Sequence, residues 1–523
     1  MISFLAKRSR ELNSPIIQVF MRPFSRPWVV LTDGREYVVP TQQAKGGCLT
    51  QFRAMDIMTR RGREFDRSNF FGDLLISLVP NNQGTMLTND QWRWNRKLVA
   101  DVMDSRFLET VAAHNAYDAT MDLVELWKQK ARLAGSHAFD ITEDMKMCTF
   151  DVLWSVTFGP GIRSCKAQSD LLSKLDHLDH QDDGLAVIPG AKLPEFYGAM
   201  KMLIESSQIP MTSPLGRWHH WFVCTFYPSF IRAQYVRDKL VNGKIAAAWK
   251  RFEESDPAAS EAMVKCALDL IVEKEVKLAK KEGRKPDHNS KYLHDELCGF
   301  LSAGIDTAAS TISWGLKYLT KHQDTQTKLR RSLRETHKQA VEAGRPPTAE
   351  ELAKIKTPYL EAFIDEVMRH SGVVSANIRV ALQDSVVLGH VIPKGVDVFM
   401  ITNGPSMKEP AFPIDENLRS QSSKDFKGDA GGRIETTSPS SNLSAGSRRT
   451  PRESLTLTAT FGLGVRSCYG KKLAYLEMRV IYALIVWNFE LLPVSDSLSD
   501  WKAQDVLTHQ VQNSRVRLAE VKV

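Results

Sequence analysis

One decapeptide constrains this chain more than any other stretch: Phe461-Gly-Leu-Gly-Val-Arg-Ser-Cys-Tyr-Gly470, followed directly by KKLAYLEMRVIYALIVWNF. The second part carries Leu473, Leu476, Val480, Ala483 and Trp487 at helical spacing, which predicts a long amphipathic helix with those residues on its buried face. Cys468 then lies just ahead of the first turn, where unpaired N–H groups and the helix dipole favour a thiolate. Gly462, Gly464 and Gly470 permit a tight loop and a close approach of backbone to a flat ligand. Arg466, on the same loop, is placed to meet a ligand carboxylate. A glycine-rich loop with one cysteine is commonly an inert turn. The full Phe-x-x-Gly-x-Arg-x-Cys-x-Gly spacing is far more restrictive and points away from that reading.

A second motif is Ala303-Gly-Ile-Asp-Thr307 within LCGFLSAGIDTAASTISWGLKYL. Leu297, Leu301, Gly304, Ala308, Ile312, Gly315 and Leu319 recur at steps of three and four, forming an apolar, small-residue stripe. Each interior glycine costs a helix about 1 kcal/mol against alanine, so Gly304 and Gly315 predict close packing against a neighbour. Asp306 and Thr307 set an acid and an alcohol beside that stripe. A third motif, Glu366-Val-Met-Arg369, puts opposite charges three residues apart on one helix face. On a surface such a pair contributes roughly 0–1 kcal/mol.

The decapeptide resembles the haem-binding loop of cytochromes P450, in which a cysteine thiolate pushes electron density onto iron and favours O–O cleavage. The resemblance extends over most of the chain, with the other motifs in the family's order. It implies the mainly-α cytochrome P450 fold with a small β region, as one domain spanning residues 1–523. It implies haem b, with Cys468 as the axial ligand to iron and Phe461, Gly464, Arg466 and Gly470 forming the loop around it. Asp306 and Thr307 then help deliver protons to iron-bound dioxygen, and Glu366 with Arg369 forms a buried structural pair. Trp92 and Arg96 in WRWNR, and Arg379 in NIRVALQD, resemble positions that hold the haem propionates. The implied reaction inserts one oxygen atom from O2 into a hydrophobic small molecule. Electrons come from NADPH through a flavin-carrying cytochrome P450 reductase, expected to dock near Arg466, Lys471 and Lys472. SPIIQVFMRPFSRPWVVLTDGRE, FDRSNFFGDL and LAYLEMRVIYALIVWNFELLP resemble the fungal branch, often found in secondary metabolism. A haem-thiolate isomerase or dehydratase would use the same Cys468 without a reductase, and Asp306–Thr307 speaks against it.

Bulk composition agrees with a large globular fold: 43% hydrophobic and 25% charged residues. The net charge of +8 is spread along the chain, and no basic block with interleaved aromatics marks a nucleic-acid surface. Seven scattered cysteines without CxxC spacing argue against a disulfide framework or structural zinc, and for a reducing compartment. Residues 16–39 read as strands, 90–314 as mostly helix, Lys274–Lys291 as a basic connector, and the segment after Val373 as short strands and turns.

Three departures from the family stand out. Its microsomal members begin with a membrane anchor and a proline-rich hinge that place them at the endoplasmic reticulum; this chain opens near the first strands, and no window approaches the roughly 20 apolar residues of a membrane helix. Residues 37–53 interrupt a family-like strand-to-helix transition. Permitted codons there match a fungal-type intron start at Tyr37-Val38, a branch point at Leu49-Thr50 and a terminal AG at Arg53, so the segment reads as translated intron. Residues 434–460 are Ser/Thr/Arg-rich where the family carries Pro-Glu-Arg-Phe/Trp, and permitted codons for Ser440–Ser447 restore that motif one frame over. This reads as a frameshifted segment, with Glu366 and Arg369 expected to lack their third partner. A catalytically defective product is the alternative these departures favour.

Overall fold

The computed structural model describes residues 1–21, 26–34, 56–178, 184–256, 259–288, 291–406, 411–424 and 460–521. Residues 37–53, and 434–460 apart from Thr460, lie outside the described residues, as does any third partner from the latter segment.

Helices dominate. Those that carry the site are, in chain order, α1 (Asp90–Leu98), α2 (Ala113–Ala134), α3 (Thr142–Phe158), α4 (Glu195–Ser206), α5 (Arg217–Phe226), α6 (Pro228–Glu253), α7 (Lys291–Lys321), α8 (Pro358–Ser371) and α9 (Lys471–Asn488). The 31-residue α7 runs through the core, and its predicted stripe is buried at Leu297, Leu301, Ala308, Ile312 and Leu319. Its glycines explain the packing. A Cβ on Gly304 would lie 2.6 Å from Leu153 Cδ1 of α3, and one on Gly315 would overlap the Tyr482 hydroxyl of α9. Tyr482 is fully buried, and its hydroxyl donates to the carbonyls of Thr311 and Ile312. The two small residues therefore set how closely α3 and α9 approach the central helix.

The strands form a minor part. β1 (Ile16–Val19), β2 (Trp28–Leu31), β3 (Phe65–Arg67), β5 (Ala376–Ala381) and β8 (Asp397–Ile401) make a five-stranded sheet in the order β1-β2-β8-β5-β3. Only the β2–β8 pairing is parallel. Alternation along the strands splits the apolar residues: Val29, Leu31, Val398 and Met400 join one cluster, while Val30, Ile378, Phe399 and Ile401 join another with Leu5 and Ile17. β4 (Phe139–Asp140), β12 (Arg515–Glu520) and β9 (Phe489–Leu492) form a second sheet; β6 (Ser385–Val387) pairs with β7 (His390–Ile392), and β10 (Ala503–Asp505) with β11 (His509–Val511).

Two expectations are corrected. The first half of the stretch 274–291 is helix: Ala267–Glu282 buries Leu268, Ile271, Val272 and Ala279, and closes on left-handed Gly283. Its lysines occupy the outer face and mask the apolar period. α9 is not amphipathic in use: from Leu476 to Trp487 every residue is buried, because helices and the second sheet surround it.

Candidate functional site

The decapeptide loop folds as its glycines require. Gly462 and Gly464 have φ of +64° and +73°, a region that favours glycine. The Cys468 N–H closes the loop by donating to the Phe461 carbonyl at 2.7 Å. The Phe461 ring lies between Tyr475, 5.7 Å away, and the Lys471 ammonium at 5.6 Å. Gly470 departs from expectation: it caps α9 at φ −77°, so the backbone does not demand glycine. A Cβ there would meet nothing within 4 Å, and its contribution is open space beside the cysteine.

Cys468 is exposed, unlike the other described cysteines, all of them buried and free. That free surface faces a recess: enough protein surrounds the thiol that burial pushes its pKa up, against the Gly470 N–H, Arg96, Lys471 and Arg67, which pull it down. Burial thus opposes the pull that the helix start exerts through the Gly470 N–H. A bound cation reverses that balance, since a coordinating thiol is deprotonated outright.

Four guanidiniums converge beside this loop. Arg379 on β5 is 4% exposed and stands directly across from Arg67 on β3 in the ladder. Arg466 stacks over the Trp92 ring at 4.6 Å, and Arg96 lies 5.6 Å from Trp92 and 4.8 Å from Tyr469. Burial, reinforced by repulsion from Arg67, lowers Arg379 to about 10 and Arg466 to about 9. Arg67 falls to about 10 through burial, partly offset by Asp66 and Cys468. Arg466 Nη1 and Arg67 Nε are buried without a hydrogen-bond partner. An excess of buried, under-satisfied donors around one recess is costly unless an anion fills it.

Across from the loop runs α7. Phe300 on this helix stacks against Tyr469, with ring centroids 5.9 Å apart. Ala303 is exposed although it sits mid-helix in the core, and Gly304 and Thr307 are half-buried beside it. The Thr307 hydroxyl donates back to the Ala303 carbonyl at 2.9 Å. Asp306 points elsewhere: it is buried, and its pKa is raised by desolvation, with Lys146 and Lys201 pulling it down and Glu205 and Glu143 pushing it up. Asp306 and Thr307 are neighbours in sequence but face different surroundings.

Glu366 and Arg369 pair on α8 at 2.8 Å (Nε to Oε2) and 2.5 Å (Nη2 to Oε1). His370 Nε2 lies 2.9 Å from Glu366 Oε1 and close to Arg369 Nη2, so the imidazole joins the pair; the expected third partner falls outside the described residues. Arg466 also differs from its expected place in a docking patch. It turns inward, and its Nη2 donates to the carbonyls of Gln83 (3.3 Å) and Met86 (2.9 Å). Lys472 remains exposed, with Nζ donating to the Met103 carbonyl at 3.1 Å. Sequence reasoning missed Arg67 and the 81–86 loop; the one available signal was a cation in FDRS, which is common in strands.

The cytochrome P450 family profile matches residues 55–514. The chain is 36% identical to cytochrome P450 monooxygenase GME11363 of Pestalotiopsis microspora, covering 99% of this chain and 88% of that protein. It is 31% identical to cytochrome P450 monooxygenase TRI13 of Fusarium sporotrichioides, covering 99% and 90%. The crystal structure of the cytochrome P450DA heme domain superposes with a TM-score of 0.69 at 16% identity, over 99% of this chain and 93% of that one, which speaks to the fold. A thiol on a glycine loop, guanidiniums around its recess and a central helix across from it thus coincide with a match over most of the sequence, and the chain belongs to the cytochrome P450 family of monooxygenases.

Proposed function

We propose that this chain binds haem b through Cys468 and inserts one oxygen atom from O2 into a hydrophobic small molecule in fungal secondary metabolism. NADPH–cytochrome P450 reductase is the electron donor, and the endoplasmic reticulum membrane is the site of action. No helix among the described residues is long and apolar enough to cross a membrane. The observation that carries the reading is an exposed Cys468 thiol on a loop beside which Arg67, Arg96, Arg379 and Arg466 gather, two of their N–H groups unpartnered, with α7 reaching the same loop through Phe300 and Tyr469. These residues fit haem, which brings a metal for the thiolate and two carboxylates for the cations.

In this reading Cys468 holds the iron, and Arg67, Arg96, Arg379 and Arg466 receive the propionates, with Trp92 as a stacking surface. The haem, once bound, supplies the dioxygen chemistry. Gly470 and Gly464 would keep the loop thin beside the cysteine. On α7, Ala303 and Gly304 would leave room, and Thr307 Oγ1, its proton engaged by the Ala303 carbonyl, would offer a lone pair there. Asp306, whose pKa burial pushes up, lies within the field of Lys146 and Lys201, which pull it down, and of Glu205 and Glu143. Glu366, Arg369 and His370 fix the end of α8 and touch no reacting atom.

The test is reconstitution with a fungal reductase, NADPH and a library of hydrophobic small molecules under isotopically labelled dioxygen. The reading predicts NADPH-dependent products carrying one labelled oxygen atom. Turnover without NADPH, or oxygen drawn from water, would overturn it.

A further inference from the structure

Three of the site's cations hang on one loop. The Gln83 and Met86 carbonyls accept from Arg466, and the Gly84 carbonyl accepts from Arg67 Nη2 at 3.4 Å. Gln83 Oε1 accepts from Arg96 Nη1 at 3.2 Å.

That loop is clamped in turn by two consecutive acids near the start of α7. Glu296 is fully buried and accepts from Gln83 N (2.6 Å), Gln83 Nε2 (2.8 Å), Asn95 Nδ2 (2.7 Å) and Asn82 Nδ2 (3.1 Å). Asp295 Oδ2 accepts from Asn81 N at 2.7 Å and from Asn81 Nδ2 at 2.9 Å. The approach is close because residue 299 is glycine: a Cβ there would lie 2.7 Å from Asn82 Cγ. Gln83 therefore sits between a carboxyl whose oxygens accept from four N–H groups and a guanidinium that only donates; burial pushes the Glu296 pKa up, and the Asn95 and Gln83 donors pull it down. One amide orientation satisfies both, with Nε2 toward Glu296 and Oε1 toward Arg96. The buried carboxylate fixes that orientation, and through it the direction in which Arg96 presents its remaining N–H groups.

We infer that Glu296 and Gln83 are positioning residues for the haem carboxylates: Glu296 sets the Gln83 amide, which aims Arg96, while the Gln83 carbonyl holds Arg466. The inference rests on the haem reading above. It also links the helix carrying Thr307 to the propionate side, so that ring seating and the oxygen-facing helix are set by one carboxylate.

The test is haem transfer from the holoprotein to excess apomyoglobin, with urea unfolding midpoints of the haem-free proteins measured alongside, since bound haem itself raises the midpoint. Gln83→Met removes the acceptor to Arg96 but leaves the backbone, Asn82 and Asn95 bonds of Glu296. It is expected to lose haem roughly tenfold faster at an unchanged midpoint, as loss of an outer partner does in metal sites. The swap Gln83→Glu with Glu296→Gln keeps an acceptor toward Arg96 and is expected to restore retention. An off-rate for Gln83→Met equal to wild type overturns the inference, as does faster loss that tracks a lowered midpoint and is not restored by the swap. Failure of the wild-type chain to take up haem with thiolate ligation overturns the inference and the reading beneath it; wild-type uptake separates the two.

Discussion

Protonating Glu366 has a cost that the structure defines. The side chain is 11% exposed and accepts from Arg369 and His370. Burial pushes its pKa up, but those donors outweigh burial and hold it at about 2, against an ordinary 4.5. That interval, at about 1.36 kcal/mol per pH unit, corresponds to about 3 kcal/mol of stability at neutral pH. Because the folded pKa lies below the unfolded one, the contribution is complete above roughly pH 4.5 and is lost as pH falls toward 2. Glu366→Gln has no such titration. Urea unfolding of both proteins between pH 7 and pH 3 reads the difference directly. The wild type is expected to be more stable by about 3 kcal/mol at pH 7, with the gap narrowing as pH falls below the ordinary carboxylate range. A gap that stays constant with pH, or none at pH 7, would refute the assignment of these donors as the source. His370→Ala is expected to fall between the two, since Arg369 remains.

Other perturbations read other parts of the account. Gly315→Ala drives a methyl into Tyr482, and overpacking costs about 1–3 kcal/mol against a helix-propensity gain of about 1 kcal/mol; the urea midpoint should fall, and Tyr482→Phe should recover part of it. Arg379→Met removes a buried cation from the recess, and losing a charge-assisted bond of about 1.5–3 kcal/mol should speed haem transfer to apomyoglobin at least tenfold; an unchanged rate would remove Arg379 from the site. Glu477 on α9 is 1% exposed, has Oε1 without a partner, and is raised by burial to about 8. Its folded pKa lies above the unfolded one, so its contribution is present below roughly pH 4.5 and lost as pH rises through about 8. Glu477→Gln should therefore flatten the fall in thermal midpoint between pH 5 and 8, and an unaltered slope would contradict the burial argument.

What the sequence revealed depended on how a residue acts. The tight loop around Cys468 was legible because Gly462 and Gly464 take backbone angles that favour glycine. Gly304 and Gly315 were legible because glycine inside a helix carries a cost that close packing offsets, and Leu153 and Tyr482 are the packing partners found. The 81–86 loop was not legible, since it works mainly through carbonyl oxygens that any residue supplies. Arg67 escaped because its role comes from a cross-strand register with Arg379, far away in sequence. His370 sits one residue past the Glu366–Arg369 motif, yet only the turn of α8 shows that it reaches the same carboxylate. Asp306 and Thr307 looked like one unit in sequence; the helix rotates them onto different surroundings.

The central claim is that Cys468 ligates haem iron as a thiolate. The direct measurement is the reduced, carbon monoxide-bound difference spectrum of this chain beside Cys468→Ser. The account predicts a strongly red-shifted Soret band for the wild type and its loss in the variant. The absence of that band in the wild type, or its persistence in Cys468→Ser, would contradict it.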